Sequence, residues 1–249
     1  MLKGPKRYSF RAFFIDQHFK KPIATLKISP IFEVLLTLPP LKQLLDIDNW
    51  ARKEHFQFFK QFEEPFFGAT VQIDCSTAYA KAKILNTSFF SYYLYKTLLA
   101  VNAIEAFKYR IVNDTVVVHD HINASATISR ADGTFGFSLI EFDPDYTVFK
   151  TNTSAEIERI QTTTGLFTRT FMDDNVIHFS AIPWLDFTAL SHARSYSLPD
   201  SCPKISFGKM TVDTFGKKTM PMSVHVHHGL MDGYHLSLFV TELQRLLNQ

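Results

Sequence analysis

The end of the chain constrains the fold more than any other stretch. Residues 220–227 read as a strand, and a glycine-flanked turn follows. Leu236, Phe239, Val240, Leu243 and Leu247 then recur at i, i+3, i+4 spacing, which predicts a helix. Gly229 and Gly233 are expected to give the turn backbone conformations closed to other residues. Further back, residues 69–74 and 176–182 alternate like strands. Residues 110–112 and 115–118 flank Asn113-Asp114 as a hairpin, and 126–129 and 134–141 form a second pair of strands. Phe89, Tyr93, Leu94, Leu98 and Val101 place a helix over 88–104. Residues 50–59 mix aromatic and charged side chains as in an amphipathic segment. Thr153-Ser-Ala-Glu156 has capping-box form, predicting a helix that starts there. Strands alternating with helices imply an α/β class with a mixed sheet flanked by helices.

Length bounds the rest. At 249 residues, 46% of them hydrophobic, the chain suits one large domain or two small ones. Its 25 phenylalanines suffice for a large core and for lining an apolar pocket. The net charge of +2 points to no nucleic acid. Charge is uneven, however: residues 1–40 carry seven basic against two acidic residues, a local +5, and the remainder 19 against 22, or −3. We therefore expect residues 1–40 to be an appendage and 41–249 the functional domain. The apolar run 28–41 is broken by Glu33 and three prolines and is too short for a bilayer span, so no membrane is expected. Cys75 and Cys202 are far apart and form no C-x-x-C, which excludes a disulfide scaffold and fits a reduced, cytoplasmic setting.

Four of the ten histidines crowd into residues 225–235. Three readings compete. His225 and His227 lie two apart, on one face of a strand, and can chelate. Yet no cysteine or carboxylate sits at a telling spacing, so no metal is expected. A histidine before a tight turn can also simply hydrogen-bond that turn. The third reading is chemical. An imidazole with an ordinary pKa of about 6.5 takes a proton near neutrality, and a carboxylate four residues on can fix the loop by pairing with a cation. His228 and Asp232 stand in that relation.

Here the sequence resembles a family. His227-His228-x-x-x-Asp232-Gly233 is similar to the H-H-x-x-x-D-G motif of the chloramphenicol O-acetyltransferases. A shorter H-x-x-x-D-G also occurs in the acyltransferases of 2-oxo acid dehydrogenase complexes and in peptide-synthetase condensation domains. Further blocks occur in order: Trp50-x-Arg52-Lys-x-His55-Phe, Phe107-Lys-Tyr-Arg-Ile111, Thr134-Phe135 and Ser180-Ala-Ile-Pro-Trp184-Leu-Asp-Phe187. The resemblance covers residues 41–249.

The resemblance implies a two-layer sandwich and acetyl-CoA-dependent O-acetylation of chloramphenicol, which inactivates the antibiotic. It assigns His228 as the general base and Ser180 as the donor to the tetrahedral oxyanion. Asp232 and Arg52 become a buried ion pair that holds the turn. Phe67, Phe135, Phe167 and Ser206 match positions around the acceptor, and Trp184 an aromatic near the CoA. It also implies a homotrimer with active sites between subunits. Phe59, Glu63, His192 and Met210 depart from the family's usual residues, which concerns the acceptor more than the chemistry. The rivals are another hydroxyl acceptor, a dehydrogenase-complex acyltransferase, and a non-catalytic trimeric binding protein.

Overall fold

The computed structural model describes residues 42–169, 174–196 and 200–249. The proposed appendage, residues 1–40, lies outside the described residues. In chain order the described strands are β1 (Lys42–Leu44), β2 (Phe66–Asp74), β3 (Tyr109–Val112), β4 (Thr115–His119) and β5 (Asn123–Ser129). They continue with β6 (Phe135–Phe137), β7 (Val176–Ala181), β8 (Lys204–Phe207), β9 (Thr211–Val212) and β10 (Lys218–His227). The helices are α1 (Lys53–Phe59), α2 (Ser76–Ile84), α3 (Phe89–Ala103), α4 (Tyr146–Thr162) and α5 (Gly233–Leu247).

The main sheet runs β2-β10-β8-β7-β5-β6, with β9 against β10. Its centre is parallel, β5 to β7 and β7 to β8, and its flanks are antiparallel. A small sheet, β1-β4-β3, stands apart from that path. Its hairpin turns at Asn113 and Asp114, both in the left-handed region at φ 48° and 64°. Asn and Asp tolerate that region, which explains the pair between two β-branched strands.

Alternation along the strands decides what faces the helices. Phe179 of β7 and Phe207 of β8 turn toward α3, where the ring of Tyr93 lies 5.0 Å from that of Phe207. Met220, Met222, Val224 and Val226 of β10 join them in the core, and Phe107 meets Phe239 of α5 at 4.7 Å. Ser180, His178, Lys204 and His225 alternate with these residues and take the other face. The helical layer covers one side of the sheet, and the opposite side carries polar groups.

Two expectations need correction. The 153–156 segment does not start a helix: α4 begins two turns earlier, where the Asp145 side chain caps it by accepting from the Thr147 N–H at 2.7 Å. Glu156 instead points inward, 6% exposed, binding the Leu139 N–H, Arg159 and Arg169. The second is the turn glycines. Neither Gly229 nor Gly233 adopts a left-handed φ. Space favours glycine at 229, since a Cβ there would sit 3.1 Å from the His227 ring and push it aside by a few tenths of an ångström.

Candidate active site

The turn after β10 is fixed from three sides. The His228 N–H donates to Pro65 O at 2.8 Å, tying the turn to the start of β2. His227, 4% exposed, accepts the Gly229 N–H on Nδ1 at 3.1 Å. That requires a neutral imidazole with Nδ1 unprotonated. Burial, with Arg194 adding to it, pushes His227 down to about 4, so it stays neutral near pH 7. Arg52, just before α1, donates through Nη1 to Asp232 Oδ2 at 2.5 Å and through Nη2 to His228 O at 3.2 Å.

Asp232 also caps α5, accepting the Tyr234 N–H at 3.0 Å, and contacts His235 Nδ1 at 2.9 Å. Burial raises its carboxyl, but hydrogen bonds from His235 and Arg52 outweigh this and hold it down at about 2. The ion pair is half-buried rather than buried: the Arg52 side chain is 13% exposed and that of Asp232 33%. Both readings of Asp232, helix cap and partner of a cation, hold together.

His228 itself is framed by aromatic rings. Phe59, at the end of α1, stacks face to face on its imidazole, with centroids 3.9 Å apart and planes 5° from parallel. Phe67 of β2 approaches at 4.5 Å. The His228 Nδ1 is buried and has no hydrogen-bond partner among the described residues.

Ser180 lies elsewhere, in a cleft of about 600 Å³ on the open face of the sheet. Phe137 and Phe167 form one wall, with rings 5.2 Å apart. Phe135 stands behind, 5.6 Å from Phe137. His178, His192, Arg194, Asp200 and Lys204 form the other wall. Register places Ser180 opposite Ser206, and Ser206 opposite Ser223 of β10. His228 lies five residues beyond Ser223 on a strand two places across. Ordinary sheet spacings then separate Ser180 from His228 by roughly 19 Å within one chain.

The anticipated residues therefore fall into two groups. Arg52, Phe67, His228 and Asp232 come together at the turn. Ser180 and Phe167 share the cleft, with Phe135 beside it. Ser206 is fully buried and its Oγ has no hydrogen-bond partner among the described residues. Trp184 is 72% exposed. Glu63 lines a separate hollow beside Lys60 and His227, and Met210 packs against the core.

Sequence reasoning missed His178, Asp200 and Lys204. The pattern His178-x-Ser180 on β7 would have put His178 on the face of Ser180. His178, Asp200 and Cys202 bring ligand atoms within 4.8 Å of one another. Lys204 Nζ already holds Asp200 Oδ2 at 2.6 Å, and burial raises the Cys202 thiol, so both features oppose a cation.

The family model of chloramphenicol acetyltransferase matches residues 42–244. Chloramphenicol acetyltransferase 3 of Escherichia coli is 28% identical over 207 residues, 82% of this chain and 95% of that protein. The Campylobacter coli chloramphenicol acetyltransferase is 30% identical over 207 residues, covering 82% and 98%. A solved structure of a chloramphenicol acetyltransferase superposes with a TM-score of 0.76 at 32% identity, over 83% of this chain and 99% of that one. The chain belongs to the chloramphenicol acetyltransferase family, and with it to the acyltransferases.

Proposed function

We propose that the protein transfers an acetyl group from acetyl-CoA to a hydroxyl acceptor, with chloramphenicol the acceptor to test first. The clamp on the turn carries this reading: Arg52 holds both Asp232 and the His228 carbonyl, which fixes the imidazole's position between Phe59 and Phe67. The His228 imidazole accepts the proton of the acceptor hydroxyl. The oxygen attacks the thioester carbonyl directly, and the tetrahedral oxyanion takes a hydrogen bond from the Ser180 hydroxyl. Collapse expels the CoA thiolate, which regains the proton from the imidazolium. Asp232 serves position and relays no proton. A base of this kind contributes about 10²–10⁴ in rate, and one oxyanion donor about 10²–10³.

The separation of Ser180 from His228 supports a homotrimer whose sites lie between copies. One copy brings the His228 turn to the Ser180 cleft of the next. The open polar face has the same implication, because a sheet with a parallel centre is ordinarily covered on both sides. Trp184, flat and exposed, suits a contact with the CoA, and Phe67, Phe135 and Phe167 remain the acceptor set, whereas Ser206 is fully buried in the sheet and leaves it. No described helix is long and apolar enough to cross a membrane. The free, buried Cys75 and Cys202 suit a cytoplasmic enzyme.

The test is release of CoA thiol from acetyl-CoA and chloramphenicol, wild type beside His228→Ala. Release that depends on chloramphenicol and vanishes in the variant supports the reading. Equal release by both proteins removes His228 from the chemistry. The polar wall of the cleft favours a second reading, the same machinery acting on a different alcohol.

A further inference from the structure

The open face of the sheet is polar across its centre. Register sets Ser125 of β5, His178 of β7, Lys204 of β8 and His225 of β10 in one row. The next row is Ser180, Ser206 and Ser223. In-register neighbours share a face, so these rows lie side by side under the cleft. His192 comes over them from the segment after β7, its ring edge-on to His225 at 4.8 Å. Arg194 follows, stacked on Phe66 at 3.6 Å.

Charge limits what such a wall can hold. Arg194 pairs with Glu64, and Lys204 with Asp200 at 2.6 Å. Both cations are matched, so an anionic ligand finds no spare positive charge, and a cationic one finds no spare carboxylate in these pairs. The imidazoles are neutral near pH 7. Burial, then Lys204, lowers His178, and burial, then His225, pushes His192 down to about 4.

Polar atoms on this face are left over, the Ser206 Oγ of the second row among them. His192 Nε2 and Arg194 Nε are buried without a hydrogen-bond partner among the described residues. A buried polar atom left unpaired costs about 1–3 kcal/mol, so an apolar ring placed here would be disfavoured. A hydroxyl both donates and accepts, and so serves a guanidinium N–H and an imidazole nitrogen alike. Across the cleft, Phe137 and Phe167 offer apolar faces.

We infer that the acceptor is a neutral, polyhydroxylated molecule of the sugar or cyclitol type, its hydroxyls held by His192, Arg194, His178 and Ser125 and its apolar face laid on Phe137 and Phe167. This rests on the reading that the Ser180 cleft receives the acceptor, and it names that acceptor's class. One of its hydroxyls, nearest Ser180, receives the acetyl group.

The experiment has two arms on the full chain. Binding of neutral hexosides, pentosides, cyclitols, chloramphenicol and benzyl alcohol is measured by calorimetry on the His228→Ala protein, which keeps the cleft. Turnover of the same compounds is measured on the wild type by CoA release. The expected result is a polyol that binds at least ~10-fold tighter than chloramphenicol, about the worth of one or two hydrogen bonds. His192→Leu then removes that margin by weakening polyol binding, as does His178→Leu should the first variant not fold. Chloramphenicol binding tighter than every polyol overturns the inference, as does a margin unmoved by these variants. Tight polyol binding without CoA release from any compound retains the cleft assignment and sinks acyl transfer instead. CoA release with chloramphenicol and no polyol binding does the reverse.

Discussion

Phe59 lies flat against the imidazole of His228, centroids 3.9 Å apart and planes within 5°. Its Nδ1 has no hydrogen-bond partner among the described residues, so this stack, with the tilted Phe67 ring at 4.5 Å, holds the plane of the imidazole. The stack therefore restrains the ring plane in which Nε2 lies. Offset or stacked ring pairs contribute about 0.5–1.5 kcal/mol beyond the area they bury. Phe59→Leu is expected to lower kcat about 3- to 10-fold with KM little changed, because a loose imidazole is mispositioned in the transition state, not in acceptor binding. Phe59→Tyr keeps the ring and is expected to keep the rate. A Leu variant with wild-type kcat would remove the stack from the mechanism.

The Arg52–Asp232 pair joins the segment before α1 to the start of α5 across 180 residues of sequence. Arg52→Ala frees the His228 carbonyl as well as the carboxylate. Hydrogen bonds to charged groups contribute about 1.5–3 kcal/mol, so stability should fall within that range. Activity should fall further, about 10²-fold, because the turn carrying His228 loses its brace. Arg52→Lys restores charge without the two-pronged fork and should recover only part. Denaturant melts and CoA release on the same preparations check both. A full recovery by lysine would reduce the pair to simple attraction.

The closing unit was legible because its signals are local. The helix period from Leu236 to Leu247, the turn and the strand before it each follow from a dozen adjacent residues, and β10 and α5 match them. The Arg52 and Ser180 blocks became visible through order and resemblance, not through periodicity. Short-range reading failed where the structure uses long-range pairing. Strand β8 went unread because Lys204 and Ser206 interrupt a segment of four residues. Helix α2 went unread because alanine, lysine and tyrosine intermix without a clear apolar stripe. Thr153 and Glu156 imitate a cap but sit inside α4, where burial and three hydrogen-bonding partners claim the glutamate. The polar wall of the cleft needs β5, β7, β8 and β10 in register, and no single stretch of sequence displays that.

The protonation state of His227 makes stability depend on pH. Its native pKa is pushed down to about 4 by burial first and then by Arg194, and its unfolded value is about 6.5. Between these values the unfolded chain binds the proton and the native chain does not. Stability from this group is therefore complete above about pH 6.5 and is lost as pH falls toward 4, at up to ~1.4 kcal/mol per pH unit. Asp232 acts lower. Its depressed carboxyl contributes above about pH 4 and loses its effect as pH falls toward 2. The melting temperature should decline from pH 6.5 to 4 in the wild type and decline less steeply in His227→Gln. Parallel profiles for the two proteins would exclude His227 as the cause.

The family match begins at residue 42, and the basic excess of the chain lies before it. β1, starting at Lys42, pairs with β4 across Lys42–His119 to Leu44–Val117, and β4 in turn pairs with β3. The Trp50 ring packs edge-on against Tyr109 at 5.6 Å, anchoring the approach to α1 on β3. A protein starting at Leu41 is thus expected to fold, to melt within a few degrees of the full chain and to elute as the same oligomer. Light scattering coupled to size exclusion, with CoA release on each fraction, reads all three. A truncated chain that precipitates or runs as a monomer would make residues 1–40 part of the assembly. Retention of the oligomer with lost activity would instead place them at the mouth of the site.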